Sequence, residues 1–146
     1  MKSYTDLKQS KKLAEFLPLE SADMYYQYVL PKSDKIKHNP EIGNPVNALK
    51  WYNKGYATFG KEPITSDEYC VPCWSLAALL EVLDDEITKD NEETLKLHIE
   101  KEGLQYYLYY ENLDTGNMFE LETEMYDDLV DCCVEKIDKL YKQNLK

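Results

Sequence analysis

The chain contains no arginine, so all 17 of its basic residues are lysines, against 28 aspartates and glutamates. A nucleic-acid-binding protein that works through a basic face needs an excess of positive charge. A site that grips a carboxylate or phosphate with two parallel hydrogen bonds needs a guanidinium. The formal net charge of −11 argues against the first class of protein, and the missing arginine argues against the second kind of site.

Glycine is also scarce, with five residues in 146, and there are only two histidines. Loops that cradle phosphates are rich in glycine, and the sequence has no GxGxxG, P-loop, EF-hand loop or GxSxG turn. No apolar run approaches the roughly 18 residues of a membrane span. Residues 1–12 lack the apolar core of a signal peptide, so we expect a cytoplasmic protein whose four cysteines are reduced.

What the chain does have is an unevenly placed negative charge. Residues 1–73 carry 10 lysines and 9 acidic residues, whereas residues 74–146 carry 7 lysines and 19 acidic residues. Such an asymmetry concerns solubility and partners rather than fold. The length and the hydrophobic content of 43% are typical of one globular domain, which we expect to span 1–146.

The first half predicts a helix, a strand and an irregular segment. A helix capped by Thr5 runs to about Leu17, because Pro18 ends it. Residues 24–30 are aromatic and β-branched, which is typical of a strand. Residues 31–66 are interpreted as an irregular insert, since lysine, asparagine, proline and glycine dominate its first part.

The second half predicts a buried helix and a meander. Residues 73–83 are apolar almost all round, which is typical of a helix at the centre of a domain. Residues 95–100 alternate between apolar and polar, as a half-buried strand does. Turns at Gly103 and at 114–117 then continue the chain into a three-stranded antiparallel meander over about 95–123.

The last element is a C-terminal helix. Apolar residues recur at steps of four and three from Tyr126 to Leu140, with acidic residues at the start and lysines towards the end. Together the elements predict a single α+β domain, in which the meander packs with the buried helix 73–83 and with the N- and C-terminal helices.

The sharpest chemical motif is Cys70-Val71-Pro72-Cys73. If it opens the helix at 73–83, the unpaired backbone N–H groups there stabilise a thiolate, as in redox-active CxxC sites. The segment is superficially similar to a thioredoxin active site. That family presses a cis-proline loop against its disulfide, however, and no proline follows Pro72. The other interpretation treats Cys73 as a small buried hydrophobic residue and Cys70 as an incidental loop thiol.

Neither a metal site nor a cofactor is expected from the cysteines and histidines. Structural zinc needs two ligand pairs whose thiolates converge. Cys132 and Cys133 are instead neighbours about 100° apart on a helix, and Cys133 belongs to its apolar seam. His38 lies in the lysine-rich loop, and His98 points to the polar side of its strand.

One face of the predicted meander combines tyrosines with carboxylates. The candidate partner-binding residues on it are Tyr107, Tyr109, Glu111, Glu120, Glu122 and Glu124, with Lys96, His98 and Glu100 on the flanking strand. A fully solvated surface is one interpretation of this face. The other is contact with a basic partner, because tyrosine supplies contact area at low entropic cost and carboxylates orient a cation.

Three blocks of sequence occur in a recognisable order: YTDLKQSKKLAEFLPLESADM (4–24), PCWSLAALLEVL (72–83) and LVDCCVEKIDKL (129–140), together 45 of 146 residues. As a set they resemble a family of small uncharacterised proteins from gut anaerobic bacteria and from the phages and mobile elements that these bacteria carry. Because the family has no known activity, the resemblance implies no catalytic residue. It implies an intracellular accessory protein of phage or mobile-element origin.

We therefore expect a non-enzymatic acidic interaction module that meets a protein partner. That partner is expected to be basic or nucleic-acid-binding, for example a host defence or replication factor, and no direct contact with nucleic acid or a membrane is expected. The alternatives are a small thiol redox enzyme that uses Cys70 and Cys73, and a structural component of a larger assembly.

Overall fold

The computed structural model describes residues 2–29, 37–53, 69–89, 92–116 and 125–143. Over these residues the chain forms helices and two three-stranded antiparallel sheets, which confirms the predicted α+β class. It divides into two compact units, one of residues 4–78 and one of residues 1–3 and 79–146. That the whole of 1–146 is one domain stays a prediction. None of the helices in the described ranges is long and apolar enough to cross a membrane.

The first helix, α1 (Leu7–Ala14), begins one residue later than predicted because its N-cap is Asp6 and not Thr5. The Asp6 side chain accepts a hydrogen bond from the Gln9 backbone N–H at 2.8 Å, and the Gln9 side chain accepts one from the Asp6 N–H at 3.1 Å. This reciprocal capping box satisfies two of the free donors at the helix start. Thr5 is fully buried instead, and its hydroxyl bonds to Ser10 at 2.7 Å.

The first sheet is built around β1 (Met24–Val29), which confirms the strand predicted there. It lies between β2 (Lys37–Ile42) and β3 (Cys70–Cys73), and both pairs are antiparallel. β2 and the helix α2 (Pro45–Asn53) fall inside the segment 31–66, so the prediction that this segment is irregular is wrong for these residues. β2 carries Pro40 in mid-strand, which an edge strand tolerates because one side of its backbone needs no partner.

The predicted helix 73–83 is shorter in the structure, where α3 spans Leu76–Val82. Cys73 belongs to β3, and Ser75 stands at the start of the helix, where its hydroxyl accepts a hydrogen bond from the Ala78 N–H at 3.2 Å. The Asp23 carboxylate in turn accepts one from the Ser75 N–H at 2.9 Å. The apolar character of the segment is used as predicted, because Ala78, Leu79, Val82 and Leu83 are buried.

The second sheet is an antiparallel meander of β4 (Glu86–Thr88), β5 (Thr94–Glu102) and β6 (Gln105–Glu111). Its first strand was not predicted, because three residues are too few for a periodic signal. The strand predicted to end near residue 123 lies outside the described residues. The last helix, α4 (Leu129–Lys142), packs against β6. Four of the five predicted seam residues are fully buried, namely Val130, Cys133, Ile137 and Leu140, whereas Tyr126 precedes the helix and is half-buried.

Candidate interaction surface on the second sheet

The register of β5 and β6 assembles one polar and aromatic face. Residues on one side of the two strands pair as Lys96 with Glu111, His98 with Tyr109, Glu100 with Tyr107, and Glu102 with Gln105. We call these eight residues the tyrosine–carboxylate face. The alternate positions form the other side, on which Leu95, Leu108 and Tyr110 are almost fully buried, whereas Ile99 and Lys101 near the β5–β6 turn are exposed. The two-residue period of a strand separates the sets.

Three rings on this face form a continuous stack. The His98 and Tyr109 rings lie with their centroids 5.1 Å apart and their planes within 8° of parallel. The Tyr107 and Tyr109 rings lie 5.5 Å apart at 16°. Near-parallel rings at these separations are an offset arrangement that aromatic side chains favour. Tyr109, in the middle, is only 8% exposed, whereas Tyr107 at the end of the described stack is partly exposed.

Glu100 holds both tyrosines of the stack. The Tyr109 hydroxyl donates to Oε1 of Glu100 at 2.7 Å, and the Tyr107 hydroxyl donates to Oε2 of the same carboxylate. These hydrogen bonds lower the pKa of Glu100, and they raise the pKa of Tyr107 and that of Tyr109, the latter to about 12. The face therefore carries an ionised carboxylate between two neutral phenols near neutral pH.

Further charges surround the stack. His98 Nε2 lies 3.4 Å from Oε2 of Glu111, a contact that becomes an ion pair only when the imidazole is protonated. Lys96 Nζ lies 3.4 Å from Oε1 of Glu86 on β4. The Glu102 side chain is exposed and forms no ion pair or hydrogen bond with the described residues, yet it lies close enough to Tyr107 to help raise the pKa of that phenol. Among the described residues, Glu102 is therefore a carboxylate near the partly exposed Tyr107 ring that a cation can contact.

The structure brings together three of the six predicted partner-binding residues. Tyr107, Tyr109 and Glu111 share one face of β6, as the alternation predicted. The other three, Glu120, Glu122 and Glu124, lie outside the described residues, so their pairing with β6 stays a prediction. Sequence reasoning placed Glu100 on the flanking strand. It missed the role of Glu100 as acceptor for both phenols, which depends on the register of two strands.

The cysteine motif has a different geometry from the one predicted. Cys70 and Cys73 are the ends of strand β3 and do not open a helix. Residues three apart in a strand point to opposite faces, and their Cα atoms are about 10 Å apart, whereas a disulfide needs less than about 7 Å. The neighbours agree: Cys70 packs with Ala48 of α2, and Cys73 packs on the other face with Leu7 of α1.

The environment of these thiols also opposes reactivity. Burial raises the pKa of Cys70 to about 12 and raises that of Cys73, although the Cys73 thiol lies 3.5 Å from the Thr5 hydroxyl. A thiol used for redox chemistry needs a lowered pKa and access to solvent. All four cysteines are free and buried. Among the described residues no three histidine, cysteine or acidic side chains are placed to hold a metal ion.

Comparison of the chain with protein-family models, with curated proteins and with solved structures found no match.

Proposed function

We propose that the protein is an interaction module that binds a basic, arginine-containing segment of a protein partner through the tyrosine–carboxylate face. The observation that supports this proposal is the end of the ring stack, where the partly exposed Tyr107 ring lies near the Glu102 carboxylate, which has no ion-pair partner among the described residues. An aromatic surface next to an available anion is the combination that a cationic side chain contacts with both its charge and its apolar stem.

Arginine fits this end of the stack better than lysine does. A guanidinium is planar and weakly hydrated, so it lies parallel to a tyrosine ring while it donates to a carboxylate at its edge. A contact between a cation and a tyrosine ring exists on the opposite side of the same sheet, where the Lys101 ammonium lies 5.7 Å from the centre of the Tyr106 ring. Because the chain contains no arginine, a second copy of it cannot supply the guanidinium. The proposed contact therefore needs a different protein.

Long-range electrostatics favour the same class of partner. Residues 74–146 carry 19 acidic residues against 7 lysines, and this excess draws a basic surface towards the protein. Such steering raises the association rate and weakens as salt screens it. Proteins that bind nucleic acid present arginines for phosphate and are one class that would offer this segment. That the partner is a host factor comes from the family resemblance alone and is part of the proposal.

The test uses short peptides in which arginine alternates with glycine, and matched peptides with lysine in place of arginine. The arginine peptide is expected to bind about threefold to tenfold more tightly than the lysine peptide. Tyr107→Leu is expected to remove this preference, while Glu102→Gln weakens both peptides. Glu81→Gln, which removes an exposed carboxylate from α3, is the matched control and is expected to change neither affinity beyond the screening effect of one charge.

The outcomes separate the two parts of the proposal. If neither peptide binds at low salt, the protein is not a module for basic segments. If both peptides bind equally well and Tyr107→Leu changes nothing, the ring stack is not the contact. No feature of the described residues favours the thiol redox alternative, because Cys70 and Cys73 point to opposite faces of β3.

A further inference from the structure

The unit formed by residues 4–78 contains a cavity that the proposed function does not use. Its volume is about 460 Å³, within the range of pockets that hold small molecules. Helix α1 lines one side of it, β3 lines the floor and β2 contributes an imidazole. The lining residues that matter below are Lys11, Ala14, Glu15, His38, Val71 and Pro72.

The cavity has an apolar part and a charged part. Val71 and Pro72 of β3 make the floor of the cavity apolar, and Ala14 is small enough to leave the space above that floor open. Lys11 lies on α1 and Glu15 is the C-cap of that helix, one helical turn further on, so their side chains project from the same side of the helix. One side of the helix therefore places a positive and a negative side chain next to the apolar surface of Val71 and Pro72.

Both charged residues are exposed and, within the part of the chain that the structure describes, are available to a ligand. The side chains of Lys11 and Glu15 form no ion pair or hydrogen bond with the described residues. Their order along the helix helps to keep the two side chains apart, because a lysine four residues before a glutamate pairs less well than the reverse order. An ammonium and a carboxylate that do not neutralise each other can each bind the opposite charge of one ligand.

We propose that this cavity binds an α-amino acid with an apolar side chain. Glu15 takes the ligand's ammonium group, Lys11 takes its carboxylate, and the side chain of the ligand lies against Val71 and Pro72. In an α-amino acid the ammonium nitrogen and the carboxyl carbon are about 2.5 Å apart, which two flexible side chains one helical turn apart can reach together. A dianion such as phosphate is disfavoured, because Glu15 repels it.

The probes are L-phenylalanine, its amide, which lacks the carboxylate, and 3-phenylpropanoate, which lacks the ammonium. Binding is measured by saturation-transfer NMR and by calorimetry at probe concentrations up to about 10 mM, because a single small ligand of this kind is expected to bind weakly. L-Phenylalanine is expected to bind one to one, about tenfold more tightly than either analogue.

Each charged residue of the cavity is tested with the analogue that lacks the ligand group it is proposed to bind. Lys11→Gln is expected to remove the preference over the amide, and Glu15→Gln is expected to remove the preference over 3-phenylpropanoate. Ala14→Trp fills the cavity from an exposed helix position and is expected to abolish all binding. Lys8→Gln is the matched control on the same helix, since Lys8 is exposed and does not line the cavity.

The proposal is overturned if L-phenylalanine does not bind, if the three probes bind equally well, or if Ala14→Trp leaves binding intact. The site is independent of the tyrosine–carboxylate face, so Tyr107→Leu is expected to leave phenylalanine binding unchanged. Loss of peptide binding with retained phenylalanine binding would contradict the proposed function alone, and the reverse pattern would contradict the cavity alone.

Discussion

Replacing Lys136 with methionine is expected to stabilise the protein. Lys136 lies on α4 and is 5% exposed, and its side chain forms no hydrogen bond or ion pair with the described residues. Burial and the nearby Lys139 ammonium lower the pKa of Lys136 from its ordinary value of 10.5 to about 8. Since one pKa unit corresponds to about 1.4 kcal/mol, keeping this ammonium charged in the folded state costs at most about 3.5 kcal/mol at pH 7.

Methionine keeps the length and flexibility of the lysine stem without its charge. We therefore expect Lys136→Met to raise the free energy of unfolding by about 1–3 kcal/mol at pH 7, after allowance for imperfect packing of the thioether. The sign of the pH dependence follows from proton binding. Between about pH 8 and pH 10.5 the unfolded wild type holds a proton on Lys136 that the folded state has released, so wild-type stability rises with pH relative to the variant.

Urea unfolding followed by circular dichroism at pH 7, 8.5 and 10 checks both the stabilisation by Lys136→Met and its pH dependence. The advantage of Lys136→Met is expected to be largest at pH 7 and to shrink towards pH 10.5. Lys139→Met is expected to stabilise less, because it leaves the Lys136 ammonium buried. Lys8→Met makes the same change at an exposed position and is expected to stay within about 0.5 kcal/mol of the wild type. A destabilised Lys136 variant, or an advantage that does not change with pH, would refute the reasoning.

Burial raises the pKa of all four thiols, so the unfolded chain loses thiol protons at a lower pH than the folded chain does. The free energy of unfolding is therefore expected to fall above about pH 9, by about 1 kcal/mol per thiol per pH unit. Urea unfolding of Cys133→Ala is expected to show a shallower fall. Glu100→Gln is expected to lower the pKa of Tyr107 and Tyr109 towards the ordinary value, seen by ultraviolet titration of phenolate, and an unchanged titration would contradict the shared acceptor. Asp128→Ala is expected to cost about 1 kcal/mol in thermal or urea unfolding, because the Asp128 side chain caps α4 through the Val130 N–H at 2.9 Å.

The sequence predicted best where local periodicity and burial agree. The seam of α4 and the alternation of β5 follow directly from the spacing of apolar residues, so both were predicted. β2 and β3 were not predicted, because their residues become strands only by pairing with β1, and the apolar run after Cys73 favoured an early start of the helix. Strand propensity depends on such neighbours more than on the residues themselves.

The candidate site shows the same division. The side on which Tyr107, Tyr109 and Glu111 lie was predictable, because a period of two fixes the face of a strand. The shared acceptor Glu100 was not, since it depends on which residue of β5 stands opposite which residue of β6. The cavity beside α1 was not predictable either, because it arises where a helix lies against a sheet whose edge strands the sequence did not reveal.

The order of strands in the first sheet has a consequence for synthesis on the ribosome. β1 is the central strand, but its partner β3 follows about 45 residues later in the chain. At about 5–20 residues per second, one edge of β1 waits for seconds before residues 70–73 emerge. An unpaired edge during that interval is open to wrong partners, including other nascent chains. The second sheet, whose strands follow one another directly, closes almost as soon as it is made.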